Sequence, residues 1–494
     1  MPITAVSDVL GVGKPWPPTC DETRAKSYKQ GRVLLSKNHS EVFDDIVALM
    51  RRDKRTGKSF VQLGLPRRIV KAYNAMVLGE APTFTAKEEG EADAGEKSPA
   101  QEQVEAYVEE FDLIHESHQS MTDIQALGDG LLQVTLEDKG AAGLYPDINA
   151  VDPCIWYPVV SPRDKQHITA HILAWTWEDK CEGHTVNRIR AEVHERGMIT
   201  TYLGEVDGAK IKTFAEAEEY DLTTGARVVN PVMTGVDELL IVPMFNFRST
   251  SDSTGVSDFA DLAPILEEIE VRLYLIAAIL DKHADPKLAG PRIAAEVNPV
   301  TGKEEIRMTD YFVLEEGQLP PTYITWDGQL TAAWHEIDFL WEQALFVMET
   351  SKALFGLIDG QVASGAAMKR LLIASIMKAG TLRSRLNIGL KKALKLASLL
   401  HNSVDPSAPI FAEVGIQWSD GLPADDIEVA TYHATLVAAG IESRKDAIRA
   451  VFKVGGAELV ERMDNIAEER AASAPAIGAA PRIALTPAPD AGGA

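Results

Sequence analysis

Apolar residues in this chain recur with a helical period near both ends and with an alternating period between them. Residues 1–85 are expected to be mostly helical. Glu41–Met50 is amphipathic, and Leu63–Leu78 is a second apolar segment stopping at Gly79, a residue suited to ending a helix. Residues 86–102 are dense in charge and hold no large apolar side chain, which predicts a mobile surface loop. A helix resumes at about Val104 and runs toward Ser120.

From about Gln125 to Phe247 the pattern becomes that of short strands. LLQVTLED, CIWYPVV, ITAHILAWTWED, RAEVHE, MITTYLGE and LLIVPMFNF are rich in β-branched and aromatic residues, with acidic or glycine-bearing turns between them. At Ser257 the helical period returns: Leu262, Ile265, Leu266, Ile269, Leu273, Ile276 and Leu280 form a seam of three- and four-residue steps. Pro264 either kinks this helix or sits in its first turn. Residues 286–328 break into short extended pieces between prolines and glycines, and a second helix then carries Trp334, Ile337, Trp341, Leu345 and Met348 on one stripe. Two antiparallel helices of about 25 residues with an insertion at their far end would project roughly 35–40 Å, a stalk with a tip.

After Leu354 comes a loop, FGLIDGQVASG, and then a helical stretch to about Leu400. Residues 410–418 read as one strand, and Asp425–Glu469 as two or three short helices. The Ala-, Pro- and Gly-rich tail is expected to be disordered. No internal repeat is evident.

Composition changes the picture in two ways. At 494 residues the chain should form more than one module, and its formal charge of −24 disfavours a protein whose main task is gripping nucleic acid. Against that background residues 361–400 hold Lys369, Arg370, Lys378, Arg383, Arg385, Lys391, Lys392 and Lys395 and no acid at all. Leu371, Leu372, Ile376, Leu382, Leu386, Leu390 and Leu394 make this helix at least half buried, so a merely solvated face is the weakest reading. Contact with acidic faces of neighbouring subunits is favoured over DNA contact, because Asp258, Asp261, Glu267, Glu268, Glu270, Glu336, Asp338 and Glu342 supply the complementary charge.

Candidate chemistry adds little. Thr56-Gly57-Lys58-Ser59 resembles the end of a phosphate-binding loop, but its first glycine would fall at Arg52 and no strand precedes it, so an exposed basic turn is the better reading. His115 and His118 share a helix face without a third ligand, which suits surface histidines. Cys20, Cys154 and Cys181 lack CxxC spacing and are expected as reduced thiols. No catalytic, cofactor or metal site is expected. No apolar run approaches the roughly 20 residues of a membrane span, and the N-terminus lacks the features of a secretion signal.

The order of these pieces resembles the portal proteins of tailed phages, in particular the Gp6-like family of long-tailed phages. YKQGRVLLSK and LPRRIVKAYNAMVLGEAPTF are similar to that family's N-terminal helices, with a turn at Gly79, Glu80 and Pro82. DIQALGDGLLQVTLED and INAVDPCIWYPVV resemble its early β-module. LLIVPMFNFRS, holding Pro243 and Asn246, leads into STGVSDFADLAPILEEIE as at the family's entry to its first stem helix, and ALFGLIDGQVASGAAMKRLL looks like the loop and helix start after the second.

The resemblance implies an α+β portal fold with wing, two-helix stem, small clip, long helix and helical crown. Residues 1–255 would be N-terminal helices plus a β-rich wing, 256–285 the first stem helix, 286–328 the clip and 329–355 the second stem helix. Residues 356–365 would be a tunnel loop facing DNA through Gly356, Asp359, Gly360, Gln361 and Ser364. Residues 366–423 would form the long helix and a wing return strand, 424–470 the crown and 471–494 the disordered tail. The function implied is non-enzymatic: a ring, usually a dodecamer, at the capsid vertex through which double-stranded DNA is packaged and ejected. Its partners would be the terminase large subunit, head-completion or adaptor proteins, and the major capsid and scaffold proteins, with no membrane. Its place would be the virion, and the host cytoplasm during assembly. The alternatives are another virion structural or scaffold-like ring protein, or an enzyme of nucleic-acid metabolism.

Overall fold

The computed structural model describes residues 2–36, 38–52, 61–88, 98–139, 143–181, 184–218, 229–283, 288–289, 295–306, 317, 320, 322–323, 330–358, 365–419, 426–452 and 456–473. The chain divides into two units, Met1–Gly421 and Leu422–Ala494, which are taken separately.

In the first unit the N-terminus is tied into a sheet. After a single turn, α1 (Val6–Val9), the backbone at Gly13 and Trp16 donates to the carbonyls of Ile211 and Ala209 at 2.8 and 2.9 Å. Ile3, Val9, Leu10 and Trp16 thereby join the buried cluster of Ile172, Ile189 and Ile211. Helix α2 (Glu22–Leu35) follows, then α3 (Asp44–Arg52) and α4 (Leu65–Leu78). Helix α4 starts on Pro66, ends at Gly79, and buries Ile69, Val70, Tyr73, Met76 and Val77 along one face, as the apolar spacing requires.

Strand β1 (Thr83–Lys87) replaces the end of the region expected to be helical and takes the first two residues, Ala86 and Lys87, of the span expected to be a loop, of which residues 89–97 lie outside the described residues. Phe84 and Ala86 point inward and the three residues around them outward, the alternation of a half-buried strand. Helices α5 (Pro99–Glu110) and α6 (Leu113–Leu127) replace the single helix expected from Val104. The break lies at Asp112, whose φ of 45° is left-handed and cannot continue a right-handed helix. Ser98 caps α5 by accepting from the Gln101 amide at 3.2 Å.

Helix α2 crosses α6 at Gly31. A Cβ there would lie 2.1 Å from the backbone oxygen of Ala126 and 3.0 Å from Leu127 Cδ2. Because the obstruction is backbone, it cannot swing aside. We expect Gly31→Ala to destabilise the fold by about 1–3 kcal/mol, although alanine is the better helix former by about 1 kcal/mol. Thermal melts of the two proteins check this, and a gain in stability would show that the helices separate freely.

Strands β2 (Asp129–Asp138), β3 (Leu144–Val151), β4 (Trp156–Ser161), β5 (Asp164–Cys181), β6 (His184–Glu195), β7 (Met198–Asp207), β8 (Lys210–Glu216), β9 (Val232–Met233) and β10 (Ile241–Phe245) make two antiparallel sheets. One is β10-β2-β3. The other runs β4-β5-β6-β7-β8, with β9 added against β7. Buried Leu131, Trp156, Leu173 and Ile241 draw residues from both sheets into one cluster.

Helix α7 (Phe259–His283) buries Leu262, Leu266, Ile269 and Ile276 of the predicted seam, with Pro264 near its start, whereas Ile265 and Leu273 are half-buried and Leu280 is exposed. Helix α8 (Leu330–Val347) packs against it, and Arg272 of α7 reaches Glu336 of α8 at 3.0 Å while also pairing with Glu268 at 2.7 Å. Between them lie two small antiparallel pairs. Strand β11 (Leu288–Ala289) pairs with β14 (Thr322–Tyr323), and β12 (Ala295–Val297) with β13 (Glu304–Ile306). Most of the predicted insertion, residues 286–328, lies outside the described residues.

A 3₁₀ turn (Lys352–Phe355) ends at Gly356, whose φ of 73° favours glycine. The basic helix is in two pieces, α9 (Gly365–Leu371) and α10 (Ile373–Val404). Helix α10 lies across β2, β3 and β10 and also touches α4 and α6. Leu382, Leu386, Leu390, Leu394 and Ala397 are its buried face. Strand β15 (Glu413–Gln417) then returns to pair antiparallel with β1, Thr83 opposite Gln417 and Lys87 opposite Glu413.

The second unit contains α11 (Asp426–Ala438), α12 (Arg444–Phe452) and α13 (Gly456–Ser473). Ser443 caps α12 by accepting from the Asp446 amide at 3.1 Å and donating to its carboxylate at 2.6 Å. His433 and Glu442 lie 2.8 Å apart across the turn before it. The tail expected beyond residue 473 lies outside the described residues.

Candidate functional site

A dense polar constellation joins the start of α7, the end of α8 and the first half of α10. At its centre Lys378 is buried on α10, with Nζ 2.9 Å from Asp258 Oδ2 and donating to the Met348 carbonyl at 3.1 Å. Lysine and carboxylate are close enough for a full coulombic contact, although their alignment is not that of a hydrogen bond. The ammonium also stands 5.3 Å from the ring centroid of Tyr73, within cation–π range.

Tyr73 extends the network by donating to the Glu349 carbonyl at 2.9 Å, with Thr350 Oγ1 3.1 Å away. Burial pushes its phenol upward, so it stays a neutral donor. Glu349 has a left-handed φ of 52°, and this turn ends α8. Ser351 then ties the descending chain to the basic helix. Its amide donates to Ser375 Oγ at 2.9 Å and its hydroxyl to the Leu371 carbonyl at 2.6 Å.

Asn246, just past β10, binds the other side of Asp258 by donating from Nδ2 to Oδ1 at 2.6 Å and to the Val256 carbonyl at 3.1 Å. Its own Oδ1 accepts from Arg385. Burial pulls the Arg385 guanidinium below its usual range, while Asp258 and Glu349 act in the opposite sense. Arg383 donates to the Met76 carbonyl of α4 at 3.0 Å. The result is a fixed pivot. Two long helices and the loop after them enter the β-module through one hydrogen-bonded knot.

The sequence-predicted residues divide accordingly. Lys378, Arg383 and Arg385, read as contacts to DNA or to a neighbouring subunit, have partners within their own chain. Lys369 and Arg370 are exposed at the end of α9. Gly356 closes the 3₁₀ turn, whereas Asp359, Gly360, Gln361 and Ser364 lie outside the described residues, as do Gly57, Lys58 and Ser59. His115 Nε2 faces Gln119 at 2.7 Å. Among the described residues no three His, Cys, Asp or Glu side chains gather as a metal site, and no helix is long and apolar enough to cross a membrane.

Two buried groups gave no sequence signal. Asp129 accepts from Tyr28 Oη at 2.5 Å and from the Gly255 amide at 2.8 Å, and burial lifts its carboxyl to about 6 against those two donors. His39 Nδ1 lies 2.7 Å from Glu270 Oε1, both fully enclosed, and that oxygen also accepts from the Leu63 amide at 2.7 Å. This pair fastens the N-terminal helices to α7, so Glu270, read as an acid facing a neighbour, serves inside the chain.

The family described as phage portal protein, SPP1 Gp6-like, matches residues 346–476. Over that span, about a quarter of the chain, the sequence is similar to that family. The matched span begins in the last turn of α8 and takes in the loop at Gly356, α9, α10, β15 and the second unit's helices. It does not reach the N-terminal and β-module segments on which the resemblance was also drawn. Two similar solved structures are chains of gene transfer agent particles. One, from the virion of a native particle, is 16% identical, covers 84% of this chain and 95% of its own, and has a TM-score of 0.41. The other, from the neck of an empty particle, is 14% identical, covers 89% and 96%, and has a TM-score of 0.44. No curated protein matches the chain.

Proposed function

We propose that this chain is the portal subunit of a tailed-phage-like particle. Copies of it close into a ring, a dodecamer in the virion, at the capsid vertex through which double-stranded DNA is packaged and ejected. The observation that carries this reading is the portal-family match over residues 346–476, and that same span displays large apolar side chains to solvent. Phe346 is 76% exposed, Leu357 56%, Ile373 57% and Met377 68%. On α10 the exposed face runs Ile373, Met377, Thr381, Ser384 in helical steps opposite the buried leucines. Exposed apolar side chains of this size are unfavourable in a monomer, and a second copy of the chain in a closed ring would cover them.

In that ring α7 and α8 act as the stem, the small pairs between them as the clip that meets the terminase large subunit and then the head-completion proteins, and the second unit as the crown. The segment from Gly356 to residue 365 faces DNA. The knot around Lys378 holds the stem and loop at one angle to the β-rich wing, so that packing energy supplied by the motor moves DNA rather than the channel wall. An excess of acid over base lowers phosphate adhesion along the bore. The chain supplies geometry and no chemistry.

Negative-stain electron microscopy with mass photometry tests this. Closed rings with a central hole are expected from the purified chain. Met377→Asp, at an exposed position, should give monomers of unchanged thermal stability. A wild-type chain that forms only dimers or open filaments, or stays monomeric even with capsid and scaffold proteins, overturns the reading.

A further inference from the structure

A cavity of about 670 Å³ lies in the first unit between β5, β10 and α10. Its lining includes Arg196, Arg248, Arg385 and Lys392, with Glu238 the one acid among them. In a chain with 73 acidic and 49 basic residues such a local excess of cation is a segregation of charge. None of the four cations has an ion-pair partner within 4 Å among the described residues. Arg385 is held by Asn246, and Arg196 donates only a long 3.4 Å bond to the Asp237 carbonyl. Arg248 is fixed over the Phe245 ring at 3.9 Å, and its Nη1 is enclosed without any hydrogen-bond partner.

The enclosed Nη1 holds the guanidinium in place at some cost, while the Arg248 side chain is only half-buried and lines the cavity. Burial pulls both Arg248 and Arg385 below the usual guanidinium range. For Arg248 the carboxylates of Asp129 and Asp164 oppose that, and for Arg385 those of Asp258 and Glu349 do, without reversing it in either case. Gly389 of α10 packs directly on the Met244 side chain of β10, where a Cβ would lie 2.1 Å from Met244 Sδ. The volume is that of a small-molecule site rather than a single-ion niche.

We propose that this cavity binds a phosphate-bearing anion, its oxygens taken by Arg248, Arg385, Lys392 and Arg196. Guanidinium forks match phosphate oxygens in pairs, and Lys392, exposed at the mouth, adds a mobile charge. The inference does not depend on the portal reading.

Isothermal titration of the full-length chain with tripolyphosphate at low ionic strength is the test. One site per chain is expected, with the dissociation constant raised about tenfold or more by Arg248→Gln and by Lys392→Gln, the loss of one charge-assisted contact. Lys392→Gln alters an exposed side chain, so the result stands even if the Arg248 variant folds poorly. Lys26→Gln, in an exposed pair with Glu22, should bind like wild type. A short DNA duplex run in parallel separates the sources. Binding lost with the same substitutions assigns the phosphate to a nucleic-acid backbone, and tripolyphosphate binding without duplex binding assigns it to a free polyphosphate. No binding of either probe, binding indifferent to both substitutions, or equal competition by polyglutamate overturns the proposal.

Discussion

Lys378→Met is expected to lower stability by about 3–5 kcal/mol, the usual consequence of leaving one member of a buried ion pair without its counter-charge. Methionine keeps the apolar stem and removes only the ammonium, so the loss reports charge rather than packing. The side chains of Lys378 and Asp258 are 8% and 15% exposed, which leaves little water to screen them. With lysine gone, Asp258 keeps the Asn246 amide at 2.6 Å on one oxygen and no cation on the other. The Met348 carbonyl and the Tyr73 ring lose their partner in the same stroke. Adding Asp258→Asn to Lys378→Met should recover part of the loss, because a neutral amide does not need the ammonium. Urea unfolding of the four proteins gives the coupling directly. A loss under about 1 kcal/mol for the single substitution would place the pair among screened surface contacts.

That knot marks where the sequence stops being readable. The helix seam of α7, strands β2, β4, β5, β6, β7 and β10 and the helices of the second unit were legible because each is long enough for its period to show, whereas β3, β8 and the two-residue β9 were not read as strands from their pattern. The break between α5 and α6 was not, since it depends on one aspartate adopting a left-handed backbone between two stretches that both favour helix. Strand β1 hid for a different reason. Only Phe84 and Ala86 turn inward, and their partner strand comes from Glu413–Gln417 at the other end of the unit, so nothing local marks the pairing. The concentration of base in α9 and α10 was plain, and so was the acid on α7. What charge counting could not show is that Lys378 folds back onto Asp258 of its own chain. That an acid would be buried was not legible, whether it was noticed for its charge, as Glu270 was, or not. Burial lifts Asp123 to about 7, with Arg32 pulling the other way, yet in the sequence it is one carboxylate among 73. The loop after Leu354 was read from its glycines, and the DNA-facing role proposed for it comes from the resemblance alone.

Leu386→Asp is expected to leave no folded protein at neutral pH. Leu386 has no exposed surface and sits between Leu382 and Leu390, one turn away on either side, where α10 lies across β2, β3 and β10. Removing the leucine alone costs about 2–5 kcal/mol, as transfer and cavity terms add. A carboxyl group in its place then loses water without a partner, at a further cost of about 2–7 kcal/mol even when neutral. The sum is comparable with the whole stability of a domain, about 5–15 kcal/mol. Such an acid would have its folded pKa raised above the unfolded one. Its penalty is therefore smallest below the unfolded value and grows as pH rises toward the folded one, so any recovery of structure belongs at acidic pH. Two controls isolate the cause. Leu386→Ala should fold with a lowered melting point. Ile388→Asp, two residues on and 68% exposed, should melt near wild type because the helix turns that position to solvent. Far-ultraviolet circular dichroism on the three variants decides it, and a folded Leu386→Asp protein at pH 7 would mean that α10 does not pack against the sheet.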